Sequence, residues 1–217
     1  MAIIGNAELW SNFFPDYLIP DILNMVLDVW NVFKDNCDET LEVPITKRFR
    51  AHLEQYKDIK MLPIRIDREV PVDDISTQKE LGRIDLRLTT YGCRSDVYFA
   101  FECKRLNVVD KNGKTNSLAS DYVGDDGMKR FVGVTPKYAN GLKQGGMIGY
   151  VMNGKTLTAI KAIDNQIKKK YIDLQMKSQN GLSSSSRLPN DLTRESLHHL
   201  PNREFTIQHV FLPISTV

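Results

Sequence analysis

The feature that most constrains this chain is a pair of segments, residues 82–89 and 96–104, in which apolar and charged side chains alternate. Successive side chains of a β-strand point to opposite faces of its sheet, so each segment predicts a strand with one apolar and one charged face. The turn-like stretch 91–95 joins the two strands into a hairpin. The charged faces carry Arg83, Asp85 and Arg87 on the first strand and Glu102 and Lys104 on the second.

The register of this hairpin brings two carboxylates together. A turn centred on Cys93 and Arg94 places Asp85 directly across from Glu102. Opposed residues have Cβ atoms about 4.5–5.5 Å apart, and like charges at that distance destabilise a sheet. A divalent cation would compensate the repulsion. Mg²⁺ suits such a site because it prefers hard oxygen ligands and few protein donors.

Lys104 lies one pleat beyond Glu102 on the same face, roughly 6–7 Å along the strand. From there it would orient a water as a base or stabilise developing negative charge beside a bound ion, which predicts phosphodiester hydrolysis. The same residues also fit an ordinary cross-strand ion cluster. Arg83 and Arg87 either neutralise Asp85 or contact phosphate.

Periodicity elsewhere predicts an α/β protein in which helices flank a central mixed sheet. The expected order is helix, helix, three strands, helix, strand, helix, strand. Helices are predicted over 16–35, 43–56, 126–138 and 156–170, strands over 62–70, 82–89, 96–104, 146–152 and 205–214, and loops over 107–127 and 178–191. A length of 217 residues favours one domain, 1–217, with a core at about 38–152 and a C-terminal basic helix and strand at 153–217.

Asp85 followed by Glu102-Cys103-Lys104 resembles the pattern of the PD-(D/E)XK superfamily, the restriction-endonuclease-like nucleases. That pattern has an acidic residue on one strand and (D/E)-x-K on the next. The residue before Asp85 is Ile84, not the proline of the family name.

The start of the second predicted helix adds to this resemblance. Residues 42–46 read E-V-P-I-T and are similar to the E-x-x-I-T helix start of many members, with Glu42 as the first choice for the helix carboxylate and Glu39 as the second. The resemblance covers roughly residues 38–152.

The resemblance implies a restriction-endonuclease-like fold and an Mg²⁺-dependent nuclease, with Mn²⁺ as a substitute ion. Asp85, Glu102 and the main-chain carbonyl of Cys103 would hold the metal, and Lys104 and Glu42 would complete the catalytic set. The expected substrate is DNA in preference to RNA, and the expected setting is restriction or anti-phage defence. The alternative is a non-catalytic subunit that keeps the fold and binds nucleic acid or a protein.

Charge is distributed unevenly along the chain. Residues 1–104 carry 13 Lys and Arg against 18 Asp and Glu, whereas residues 105–217 carry 16 against 9. The basic half makes a polyanionic partner plausible. Lys168, Lys169 and Lys170 either follow a nucleic-acid backbone or complement a helix dipole.

Other patterns narrow the expectations further. The chain has no phosphate-binding glycine loop, so no nucleotide cofactor is expected, and no separate DNA-recognition module, so specificity would come from loops, a homodimer or a partner subunit. Three widely spaced cysteines fit a reducing, cytoplasmic setting. We expect neither a signal peptide nor a membrane span. His198, His199 and His209 lack metal-binding spacing and are expected in a loop or in packing.

Overall fold

The alternating segments form part of a seven-stranded mixed sheet. The computed structural model describes residues 14–74, 77–91, 94, 96–138 and 142–214. Its helices are α1 (Ile19–Phe33), α2 (Glu42–Ile59), α3 (Ala119–Val123), α4 (Lys129–Val132) and α5 (Thr156–Lys169). Its strands are β1 (Ile64–Asp74), β2 (Lys79–Thr90), β3 (Phe99–Leu106), β4 (Val108–Val109), β5 (Thr115–Asn116), β6 (Gln144–Val151), β7 (Ser183–Ser184), β8 (Thr193–Leu200) and β9 (Arg203–Pro213).

The sheet has the strand order β1-β2-β3-β6-β9-β8-β7, and β4 and β5 form a separate small ladder. β6 runs parallel to both β3 and β9, and the other pairs are antiparallel. The predicted α/β class with a mixed sheet flanked by helices is therefore confirmed. Among the described helices, none is both long and apolar enough to cross a membrane.

Two apolar layers enclose the sheet. α1 and α2 pack on one face, where they cover side chains of β1, β2, β3, β6 and β9. Trp30 of α1 stacks on Tyr150 of β6 with ring centroids 5.5 Å apart, and its indole N–H donates to the carbonyl of Pro213. α3, α4 and α5 pack on the opposite face. Burial of apolar side chains in both layers stabilises the sheet.

Close packing between neighbouring strands requires glycine in β6. A Cβ added at Gly146 would overlap the ring of Phe101 on β3 and lie 3.1 Å from Phe99 Cε1. The absence of a side chain at this position leaves room for the two aromatic rings against the neighbouring strand. The packing holds β3, which carries the predicted site, in a defined position.

The helix predicted over 126–138 is wrong in extent. Only Lys129–Val132 is helical there, because Gly133 and Pro136 interrupt the helical pattern. The stretch 107–127, predicted as a loop, contains the β4–β5 ladder and α3. Short elements therefore fill the stretch between β3 and β6.

Strand β8 was not predicted. Its buried positions include Thr193, Ser196 and His198, so its inward face lacks the apolar side chains that reveal a strand in a sequence. β8 pairs with β9, and its first residues pair with β7 inside the stretch that was predicted as a loop. Hydrogen bonds satisfy this polar face, because Ser196 bonds to His198 on the same strand and to His209 on β9.

Elements outside the range 38–152 also contribute to the sheet and its packing. α1 precedes this range and packs on the sheet, and β9 follows it and pairs with β6 along eight residues, from Gln144↔Thr206 to Val151↔Pro213. β6, at the centre of the parallel ladder, therefore has β3 from inside this range on one side and β9 from the C-terminal segment on the other.

Candidate active site

The site forms where β2 separates from β3. The two strands pair only at Leu86↔Phe101, Arg87↔Ala100 and Leu88↔Phe99. This confirms the register predicted from the sequence, although Cys93 at the predicted turn lies outside the described residues. Asp85 and Glu102 are the next positions in that register, immediately beyond the last described pair. The two carboxylates therefore lie where the ladder ends.

Beyond the ladder, carboxylates accept hydrogen bonds from main-chain N–H groups of β3 that no longer pair with β2. The main-chain N–H of Cys103 donates to Asp85 Oδ2 at 2.7 Å. Two residues further, the N–H of Arg105 donates to Glu42 Oε2 at 3.1 Å. A buried N–H without a partner would be destabilising, so these carboxylates satisfy the edge of β3 as well as carrying charge.

Glu42, and not Glu39, reaches this edge. α2 begins at Glu42, and Glu42 Oε1 accepts a hydrogen bond from Lys104 Nζ at 3.3 Å. Glu39 instead lies 3.8 Å from Arg48. The structure thus brings together Asp85, Glu102, Lys104 and Glu42, the four residues expected from the sequence to form the catalytic set.

Glu102 is the deeply buried member, with 1% of its side chain exposed. Lys104 Nζ donates to Glu102 Oε1 at 2.8 Å and to the main-chain oxygen of Cys103 at 3.0 Å. Arg130 Nη1 donates to the other oxygen, Glu102 Oε2, at 3.2 Å. Each oxygen of this carboxylate is therefore bound by a different cation.

Burial and mutual repulsion disfavour the ionised forms of the two carboxylates in this cluster. Burial raises the pKa of Asp85 to about 6. Burial, together with the charge of Asp85, raises the pKa of Glu102 to about 8 despite the nearby Lys104 and Arg130. Burial by itself would lower the pKa of Lys104, but Glu102, Glu42 and Asp85 outweigh it and raise that pKa. An additional positive charge would relieve the repulsion between the two carboxylates.

The donor set fits a hard divalent cation. Within the described part of the chain, no three His, Cys, Asp or Glu side chains are grouped to hold a metal ion. The predicted set uses only two side chains, Asp85 and Glu102, with the carbonyl of Cys103. Lys104 Nζ already contacts two of these ligands, Glu102 Oε1 and Cys103 O, so their oxygens converge on one positive charge. All donors are oxygen, as Mg²⁺ prefers.

Arg130 and Tyr138 also belong to the site, and sequence reasoning missed them. The Tyr138 hydroxyl donates to the carbonyl of Arg83 and accepts from Arg130 Nη1. Both residues lie in the segment 126–138, which was predicted as a plain helix. Nothing in the local pattern identifies them, because their partners on β2 and β3 are 28 to 55 residues away in the chain.

The side chains predicted to bind nucleic acid lie apart from these contacts. The Arg83 side chain pairs with Glu80 at 2.9 Å, and only its carbonyl faces Arg130. Lys168 pairs with Asp164 at 2.6 Å near the C-terminal end of α5, which also carries Lys169 and precedes Lys170. None of the described hydrogen bonds or ion pairs joins these three lysines to the acidic cluster.

Comparison with known proteins gave no match. No family model matches the chain, and no curated protein or solved structure is significantly similar to it. The function is therefore inferred from the geometry of the site.

Proposed function

We propose that this protein is an Mg²⁺-dependent nuclease with a restriction-endonuclease-like core of the PD-(D/E)XK type, and that it hydrolyses phosphodiester bonds in DNA. The observation that carries the proposal is the position of Asp85, Glu102 and Lys104 at the point where β2 leaves β3. There Lys104 Nζ contacts Glu102 Oε1 and the Cys103 carbonyl, and the main-chain N–H of Cys103 donates to the Asp85 carboxylate.

Asp85, Glu102 and the Cys103 carbonyl would hold the metal ion. When bound, the ion supplies Lewis-acid chemistry, polarising the scissile phosphate and lowering the pKa of a water. In hydrolysis the water oxygen bonds to phosphorus and one P–O ester bond breaks. Asp85 keeps its orientation through the N–H of Cys103, and none of the hydrogen bonds among the described residues uses Asp85 Oδ1, which can accept a ligand.

Lys104 is better suited to stabilising charge than to acting as a base. Its ammonium donates to three acceptors, Glu102 Oε1, Glu42 Oε1 and Cys103 O. A bound cation would displace it from Glu102 and Cys103, while Glu42 would keep it beside the site. From there it would donate to a phosphate oxygen that gains negative charge.

The proposal extends to the biological setting expected from the sequence. DNA is preferred to RNA as the substrate, with a homodimer or a partner subunit for specificity and a cytoplasmic role in restriction or anti-phage defence. These finer points follow from the resemblance of the motif. The fold does not determine them, because one fold hosts many functions.

One observation favours the alternative, a non-catalytic subunit that binds nucleic acid or protein. Lys104 and Arg130 already neutralise Glu102 from both sides, so the cluster is satisfied as a structural ion network. In such a protein the charged cluster would fasten α2 and α4 to the sheet and bind no metal.

A combined cleavage and binding experiment separates the two functions. The purified protein is incubated with plasmid, linear and single-stranded DNA and with RNA, in Mg²⁺, Mn²⁺ or EDTA, and Mn²⁺ binding is measured by calorimetry. We expect metal-dependent cleavage of DNA, reduced roughly 100-fold or more in Asp85→Asn and Glu102→Gln. The control is Asp96→Asn, an exposed carboxylate paired with Arg94.

The outcomes discriminate between the functions. Metal binding with cleavage that both site variants lose supports the nuclease. Cleavage unchanged in the two variants, or the absence of both Mn²⁺ binding and cleavage in the wild type, contradicts it. Nucleic-acid binding without Mn²⁺ binding supports the alternative.

A further inference from the structure

We infer that Arg130 is a positioning residue that holds Glu102 through Oε2 and so presents Oε1 to the catalytic cation. This inference rests on the proposed function, because it concerns how the chain prepares a metal ligand. Arg130 lies on the single-turn helix α4, outside the motif that identifies the site.

The Arg130 guanidinium is fixed by several acceptors at once. Nη1 donates to Glu102 Oε2 at 3.2 Å, to the Arg83 carbonyl at 3.0 Å and to the Tyr138 hydroxyl. Nη2 donates to Asp126 Oδ1 at 3.2 Å. These partners belong to β2, β3, the turn before α4 and the segment before β6. The group therefore connects β2 to β3 beyond the point where their ladder ends.

Packing restricts the same group. Only 15% of the Arg130 side chain is exposed, and its guanidinium carbon lies 5.3 Å from the centre of the Tyr138 ring. Tyr138 is itself buried. A planar guanidinium that stacks on an aromatic ring and donates in several directions has one favourable orientation, which a lysine ammonium would not reproduce.

The two cations on Glu102 consequently differ in role. Lys104 binds Oε1, which together with the Cys103 carbonyl forms the proposed metal site. Arg130 binds Oε2, on the side held by Tyr138 and the Arg83 carbonyl. A metal ion can displace Lys104 from Oε1 without disturbing Arg130. Glu102 would then bind the ion through one oxygen, in an orientation set before the ion arrives.

The test is Mn²⁺ titration calorimetry on the wild type, Arg130→Ala, Arg130→Lys and a matched control. Lys129→Ala is the control, because Lys129 precedes Arg130 on α4 and pairs with Asp125 instead of the site. We expect Arg130→Ala to weaken Mn²⁺ binding roughly 10- to 100-fold, as the loss of an outer partner of a metal ligand does. The Mn²⁺ affinity of Arg130→Lys should lie between those of the wild type and Arg130→Ala, and the affinity of Lys129→Ala should match that of the wild type.

DNA binding in EDTA, measured at several salt concentrations, supplies the second readout. An Arg130→Ala variant that binds Mn²⁺ with the wild-type affinity would overturn the inference, whether its DNA binding is unchanged or is weaker with a smaller salt dependence. The latter result would assign Arg130 to a phosphate contact.

Folding and the proposed function are controlled separately. Circular dichroism establishes whether each variant folds. If Arg130→Ala does not fold, the Mn²⁺ affinity of the folded Arg130→Lys variant is compared with that of the wild type instead. A wild type that binds Mn²⁺ and cleaves DNA, with variants that bind Mn²⁺ equally well, removes only the role of Arg130. A wild type that binds no Mn²⁺ removes the proposed function together with the inference.

Discussion

Lys104 Nζ lies 2.8 Å from Glu102 Oε1, on the same carboxylate oxygen that we propose as a metal ligand. The ammonium also contacts the main-chain oxygen of Cys103, the second proposed ligand, at 3.0 Å. The chain therefore carries its own cation at the position that a metal ion would take. Metal binding and the Lys104–Glu102 ion pair should compete, which makes Lys104 the most informative residue to change.

Lys104→Met should bind Mn²⁺ more tightly than the wild type and yet cleave poorly. Removing a partly buried ammonium relieves competition of about 1.4 kcal/mol, or roughly tenfold in affinity, whereas losing the group that stabilises developing charge should slow cleavage by about 100-fold. Calorimetry and a cleavage assay measure the two effects, with exposed Lys161→Met as the control. Weaker Mn²⁺ binding in Lys104→Met would show that the two cations do not compete.

Glu42→Gln and Glu39→Gln form a matched pair at the start of α2. Glu42 holds Lys104 and the N–H of Arg105, whereas Glu39 lies near Arg48. We expect Glu42→Gln to reduce cleavage roughly tenfold, since the amide can still accept from Arg105 but no longer anchors an ammonium by charge. Glu39→Gln should remain within about twofold of the wild type. A cleavage time course in which Glu39→Gln slows cleavage more than Glu42→Gln would contradict the assignment of Glu42 to the site.

Gly146→Ala should destabilise the protein through overpacking between β6 and β3. The added methyl group would overlap the Phe101 ring and press on Phe99, which we expect to lower the free energy of unfolding by about 1–3 kcal/mol or more. Urea unfolding of Gly146→Ala, Phe101→Leu and the double variant measures the effect. The double variant should be more stable than additivity predicts. Additive losses would show that the two residues do not press on each other.

Two buried histidines should each lower stability in mild acid, against the opposite contribution of Asp85 and Glu102, whose raised pKa values favour the folded state as the pH falls. Burial lowers the pKa of His198 to about 4 and that of His209 to about 3. Below about pH 6.5 the unfolded chain gains protons that the folded chain does not bind, so each imidazole removes up to roughly 1.4 kcal/mol of stability per pH unit until its folded pKa is reached.

Urea unfolding between pH 7 and pH 4.5 measures this dependence as the difference between the wild type and His198→Gln or His209→Gln. Each variant should lose less stability than the wild type as the pH falls, and the double variant should lose the least. Parallel pH profiles for all four proteins would contradict the assignment.

The hydrogen bonds of these histidines fit the neutral form that burial favours. His198 Nδ1 must donate to the Leu174 carbonyl, so its Nε2 accepts from the Ser196 hydroxyl. Ser196 in turn accepts from His209 Nε2, and His209 Nδ1 accepts from the Tyr122 hydroxyl. The chain of bonds is complete with both imidazoles uncharged, and a further proton would have no acceptor. The expectation of a packing role for His198 and His209 is confirmed, on strands instead of in a loop.

Most of the secondary structure that could be predicted followed from local patterns of apolar side chains. The helix predicted over 16–35 corresponds to α1 with its flanking short turns, and the segment predicted over 43–56 corresponds to α2. Both have apolar faces at helical spacing that pack on the sheet. The two failures have different causes: Gly133 and Pro136 shorten the helix in 126–138, and β8 buries polar side chains that hide its strand pattern.

By itself, the sequence determined the hairpin register and the shared face of Asp85, Glu102 and Lys104, because a period of two and a short turn are local properties of the chain. Only the tertiary structure decided that β2 leaves β3 at Asp85, that Glu42 rather than Glu39 reaches Lys104, and that Arg130 binds the second oxygen of Glu102. The physical reason is that a buried carboxylate must be paired, but many side chains could pair with it. Which one does so depends on how distant helices pack against the sheet.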